Sequence, residues 1–246
     1  MSPSIISVDD PRAVAVTKAI QTGDTDGLQA QLAEHSELIS AYIGSPDEAR
    51  TLLHLLTDWP GHFPNNAAVA KMLIEAGCSI DAEYIGKLHS ETPLHWTASC
   101  DDLEIMDILL DAGANINAGG GVIADTPLAD ARAFLQLKCA HRLVERGATV
   151  TLQDAATLGL VDRIKEMYAA SPRPTERDTS CALWNACHGS QLDAAQFIHS
   201  QGADVNFVPP WGEDTPLDEA KTQKAEDLVK WLESLEAKGR MELSAS

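Results

Sequence analysis

The residues 92 to 102, TPLHWTASCDD, place a histidine, a tryptophan, a cysteine and two aspartates within eleven positions. A cysteine near a histidine is the raw material of thiolate catalysis, in which the imidazole draws off the thiol proton. By that logic Cys100 would be the nucleophile, with His62 or His141 as its base. Asp101 and Asp102, adjacent carboxylates, could in principle hold a cation. The run GGGV at 119 to 122 has the composition of a phosphate cradle. Each of these has a plainer reading. Neighbouring negative charge opposes a thiolate at Cys100. Acidic residues at the start of a helix are favoured by its dipole without a metal. The glycines precede another TPL rather than opening a helix after a strand, so a flexible turn suits them. There is no P-loop, GxGxxG after a strand, GxSxG or HExxH. Neither a catalytic residue, a metal nor a cofactor is expected.

What must position these residues is a repeat. From Thr92, 34 residues run to Asp125 before TPLADARA restarts, and 34 residues from Cys181 run to Asp214 before TPLDEA. Each copy has an opening like Thr-Pro-Leu, a short Ala-rich helix, an amphipathic second helix, a Gly-Ala stop and an extended finger. Thr92 can cap the first helix, and Pro93 fits its first position because no N–H is needed there. Leu103, Ile105, Met106, Ile108, Leu109 and Leu110 give the second helix an apolar face wide enough to need neighbours, and Gly113 ends it. Aromatics are only 5% of the chain against 44% hydrophobic residues, so the interior is built from Ala, Leu, Ile and Val, which suits closely packed helices.

This unit resembles the ankyrin repeat family, whose repeat of about 33 residues carries T-P-L-H-x-A. The resemblance implies an all-α solenoid of about seven helix-turn-helix units with short hairpin-like fingers. The copies begin near residues 17, 51, 92, 126, 151, 181 and 215. One domain over 11–240 is expected, with loosely ordered ends at 1–10 and 241–246. Three departures stand out. DWPGHFPNN lengthens the turn between the helices of the second copy, the fourth copy has little or no finger after Gly147, and the fifth ends in SPRPTERDTS without Gly-Ala. The finger row should therefore be interrupted around the fourth and fifth copies.

The resemblance also gives the histidines a role. His54 and His95 occupy the slot from which an ankyrin imidazole bonds backbone between neighbouring units. Trp184 and Ala129 replace them in two other copies, so the pattern should not be uniform. Cys78, Cys139, Cys181 and Cys187 fall in small, buried slots. The partner of an ankyrin array, a protein or peptide, lies on the concave face. One row of slots there reads Thr22, Trp59, Cys100, Phe134, Leu158 and Gly189, and its polar companion reads Gln21, Asp58, Ser99, Ala133, Thr157 and His188. Trp59 and Phe134 are the expected anchors, with His62 and Phe63 brought near by the insertion and Trp211 on the last finger. Trp59, His62, Phe63, Ser99, Cys100, Phe134, Leu158, His188 and Trp211 are thus the candidate binding residues. Two other readings stay open. The insertion could bury Trp59 as a plug, or Trp59, His62, Phe63 and Trp96 could form a small-molecule pocket.

The formal net charge of −19 disfavours nucleic acid and anionic membrane. It would favour a basic partner if the carboxylates rim the groove, and would serve solubility if they are spread elsewhere. Five scattered cysteines, no leader-like start and a polar last helix pair lead us to expect a cytoplasmic monomer.

Overall fold

The computed structural model describes residues 3–122 and 125–244. They fall into two compact units, Met1–Thr149 and Val150–Ser246, which divide where the fourth copy lacks its finger. Among the described residues no helix is long and apolar enough to cross a membrane.

The first unit holds four helix pairs: α1 (Pro11–Thr22) with α2 (Thr25–Glu34), α3 (Leu52–Thr57) with α4 (Asn66–Glu75), α5 (Pro93–Ser99) with α6 (Leu103–Asp111), and α7 (Pro127–Ala133) with α8 (Leu137–Glu145). The first helices pack in the order α1, α3, α5, α7 and the second in the order α2, α4, α6, α8, giving two helical layers. Between the layers Leu28, Leu53, Leu56, Leu73, Leu94, Ile105, Met106, Leu109, Leu128 and Leu143 are fully buried. That buried stripe is what a single pair could not provide for itself.

The second unit holds α9 (Leu152–Thr157) with α10 (Val161–Ala169), α11 (Glu176–His188) with α12 (Leu192–Ser200), and α13 (Pro216–Thr222) with α14 (Glu226–Ser234). Its first helices stack in the order α9, α11, α13. Seven pairs among the described residues match the seven copies in the sequence.

The copies start where threonine can cap a helix. Thr51, Thr92, Thr126, Thr151, Thr175 and Thr215 precede α3, α5, α7, α9, α11 and α13 in extended conformation. The sixth copy differs from expectation here. Its first helix begins at Glu176, five residues before Cys181, because Thr175 and Asp178 form a reciprocal cap within SPRPTERDTS.

Fingers are regular only near the start of the chain. β2 (Tyr42–Ser45) and β3 (Glu48–Arg50) form an antiparallel hairpin, and β1 (Ile5–Ile6) adds parallel to β2. β1 lies inside the first ten residues, expected to be loose, and is held because Ile6 is buried against this sheet. A short helix, α15 (Arg240–Leu243), likewise orders part of the expected loose end at 241–246. Residues 1–2 and 245–246 lie outside the described residues. The next finger joins the hairpin through the Ala49–Ile85 bridge, and Ser90 N–H donates to the Gly120 carbonyl of the third. In the second unit the finger at 204–214 carries no strand among the described residues.

Candidate functional site

Buried imidazoles tie each finger to the helix before it. Thr51 N–H donates to His54 Nδ1 at 3.3 Å, so the ring proton is on Nε2, which donates to the Glu91 carbonyl at 3.0 Å. His95 repeats this: its Nδ1 accepts from Thr92 N–H at 3.0 Å and its Nε2 donates to the Asp125 carbonyl at 3.2 Å. Burial drives His54 down to about 4 and lowers His95 as well, which keeps both neutral and able to make this pair of bonds. In the second unit Trp184 stands in the same slot and its indole N–H donates to the Asp214 carbonyl at 3.0 Å. The bond from first helix to finger is therefore kept by Trp184, while Ala129, in the same slot of the fourth copy, has no side-chain donor for it.

The other chemistry-bearing residues are also committed to structure. Cys78, Cys139, Cys181 and Cys187 are buried. Cys100 is half-buried, and its thiol is pushed up to about 11 by burial and by Asp102 and Asp58. Such a thiol stays protonated near neutral pH. Asp102 Oδ1 caps α6 through Ile105 N–H, while its Oδ2 accepts from His62 N–H and Asn66 Nδ2. Asp101 Oδ1 accepts from Cys139 N–H. In the glycine run, Gly120 N–H donates to the Asp125 carboxylate at 2.8 Å, so the chain's own anion takes up this N–H.

The first unit holds a cleft of about 510 Å³. It is bounded by the end of α3 and the insertion (Thr57, Asp58, Trp59, Pro60), by Trp96, Ser99 and Cys100 of the third copy, by Glu91 and Val122 beside the fingers, and by Phe134 and Gln136 after α7. Rings come together here for a local reason. Leu135, in the left-handed conformation, turns the chain after α7 and leaves Phe134 at the helix end, 53% exposed. In the second copy Asp58 is extended instead, so Trp59 leaves the helix end and stands 74% exposed on the cleft rim. The insertion therefore does not bury Trp59, and the plug is excluded.

Trp96 forms the inner wall. Its indole N–H donates to Glu91 Oε2 at 2.8 Å, and Glu91 Oε1 accepts from Val122 N–H at 3.1 Å. The Arg50 guanidinium lies 5.7 Å from the Trp96 ring centroid and 2.5 Å from Asp58 Oδ2. Edge contact with His54, at 4.9 Å between centroids, fixes the ring further.

Of the candidate residues, the cleft gathers Trp59, Ser99, Cys100 and Phe134. His62 and Phe63 do not line it. His62, in a left-handed conformation, turns its Nε2 back to the Cys100 carbonyl at 3.0 Å, which fastens the insertion to the third copy. The four-residue aromatic pocket thus does not assemble as drawn. Glu91 went unnoticed in the sequence, and Val122 figured there only as the end of the GGGV run. An inward tryptophan calls for an acceptor, and that need was the available signal for Glu91.

The second unit arranges its candidates differently. Leu158 is 5% exposed and Gly189 is buried, so neither extends an exposed apolar row. His188 stacks on Trp184 at 5.2 Å and pairs with Glu219 at 2.7 Å, while Trp211 meets Trp184 edge-on at 5.9 Å and remains 56% exposed. Burial raises the Glu219 carboxyl, but hydrogen bonds from His188 and Gln223 outweigh it and leave the group lowered.

Comparison with known proteins agrees with the helix pairs. The family model for ankyrin repeats matches in three copies over residues 62–154. The chain is similar to an ankyrin repeat and KH domain-containing protein of Caenorhabditis elegans, mask-1, at 24% identity over 68% of this chain. It is also similar to an ankyrin repeat and KH domain-containing protein of Caenorhabditis briggsae, at 23% identity over 58% of this chain. In both cases the match spans about 6% of the relative's own length.

Proposed function

This chain is an ankyrin-repeat protein, and from that premise we propose that it is a non-catalytic module binding a protein or peptide in the cleft of its first unit, on the side formed by the fingers and the ends of the first helices. Ankyrin repeats are in general protein–protein interaction modules. The observation that carries the reading is the exposure of Trp59, Val122 and Phe134, by 74%, 56% and 53%, around one concavity. Clustered apolar side chains held out to water are costly unless something covers them, and aromatic anchors in a partly enclosed site dominate protein interfaces.

A cytoplasmic location and a monomeric state are part of the same proposal. It is supported by five unpaired thiols, which suit a reducing compartment, and by an acidic surface that discourages self-association.

The test is selection from a displayed random-peptide library on the native chain, followed by binding to a Trp59→Ala, Phe134→Ala double variant. Peptides lost on the variant, with its helical content unchanged, support the cleft. Peptides held equally by both forms exclude it.

A further inference from the structure

The cleft has a chemical bias that its rings alone do not convey. Among its lining residues there are two carboxylates, Asp58 and Glu91, and no lysine, arginine or histidine. Three aromatic rings, from Trp59, Trp96 and Phe134, surround the same space. A ring presents negative electrostatic potential at its face, so a cation near several faces and a carboxylate is attracted by all of them together. The whole chain, at −19, adds attraction at longer range.

The wall itself shows which cation the geometry accepts. The guanidinium of Arg50 rests between the Asp58 carboxylate, at 2.5 Å, and the Trp96 ring, at 5.7 Å from its centroid. Arg50 is not among the lining residues, and its guanidinium contacts the Trp96 ring rather than those of Trp59 or Phe134. Glu91 is partnered by an indole and an amide N–H, both neutral donors. His89 Nδ1 also lies 3.1 Å from Glu91 Oε2.

We propose that the cleft takes an arginine side chain of a peptide partner, its guanidinium placed among Trp59, Trp96 and Phe134 and drawn chiefly by Glu91, since the Asp58 carboxylate is already paired with Arg50. This rests on the reading of the cleft as the binding site and adds the partner's chemistry to it. The volume of about 510 Å³ admits the long aliphatic stem together with neighbouring peptide backbone. Selectivity for a basic residue then comes from the rings and carboxylates, while the stem contributes apolar contact.

The probes are three capped nonapeptides in a Gly-Ser background, identical except for a central Arg, Leu or Glu. They are titrated into the full chain labelled with ¹⁵N, and the tryptophan indole signals are followed. The chain has five tryptophans, so each signal can be assigned by single substitution to phenylalanine. The Arg peptide is expected to move the Trp59 and Trp96 signals and leave that of Trp231, on α14, in place; the Glu peptide should move none. Trp59→Leu, which keeps apolar bulk at an exposed position and removes the ring, should weaken the Arg peptide by about fivefold. Added salt should weaken it further. A Leu peptide that moves the same signals as strongly would overturn the arginine assignment while leaving the cleft as a peptide site. If the Arg peptide moves neither signal, the assignment is likewise overturned, and the library selection decides separately whether the cleft binds anything.

Discussion

One position in the repeat has opposite fates in the two units. In the first, the residue ending α5 is Cys100, whose Sγ reaches to 3.8 Å from the Thr57 carbonyl of the preceding first helix. In the second, the corresponding residue after α11 is Gly189, and a Cβ there would lie 2.0 Å from the Thr157 carbonyl oxygen. Thr157 Oγ1 also donates to the Asn185 carbonyl at 3.1 Å, drawing the two helices together. Backbone closes on backbone in the second unit and Leu158 is buried. A side chain keeps the helix ends apart in the first, and Trp59 and Phe134 stand open. In the second unit, then, the absence of a side chain at Gly189 lets the slot of Leu158 close.

The strongest way to break that contrast is Gly189→Val. The clash is with backbone, so the second unit should lose about 3 kcal/mol or more, read from urea denaturation. Cys100→Val, where a Cβ is already accommodated, should cost about 1 kcal/mol. Equal losses at the two sites would dissolve the distinction between an open and a closed slot.

Acid should also separate the units. His54 is held at about 4 when folded and titrates near 6.5 when unfolded. The unfolded chain therefore binds more protons in that interval, and stability falls as pH drops from about 6.5 toward 4, by roughly 2 to 3 kcal/mol. Trp184, in the equivalent slot, has no such titration. The lowered Glu219 contributes stability that is lost only as pH falls through the carboxylate range. Following stability from pH 7 to 4 in the native chain and in His54→Gln should show a flatter profile for the variant. An unchanged profile would remove the imidazole as the source.

Binding offers a smaller but sharper contrast. Trp59→Ala with Phe134→Ala should weaken a selected peptide by more than about tenfold, while Trp59→Ala alone alters stability by no more than about 0.5 kcal/mol. Trp211→Ala, also an exposed ring but on the second unit, should leave that peptide's affinity unchanged in the same titration.

The fold was legible in the sequence because most copies state their own start and stop: threonine before the first helix, as at Thr92 and Thr215, and a Gly-Ala pair after the second, as at Gly113 and Gly202. The start of α11 was obscured because Thr175 and Asp178 lie in a stretch whose prolines read as linker, although their spacing is that of a reciprocal cap. Part of the cleft could be found by counting slots, which gives Asp58, Trp59, Ser99, Cys100 and Phe134. Trp59, His62 and Phe63 depend on how the insertion folds, and a hydrogen bond between the His62 ring and the Cys100 carbonyl links positions 38 residues apart. No local pattern specifies it. Glu91 escaped notice because its partner, the Trp96 indole, belongs to the following helix.

Hydrogen exchange on the native chain, with and without the tightest selected peptide, tests the open cleft of the first unit most directly. Protection is expected at residues 57–60, 96–100 and 134–136, with the second unit unaltered. Protection confined to the outer helices α4, α6 and α8, or to the Trp184 and Trp211 region, would contradict it.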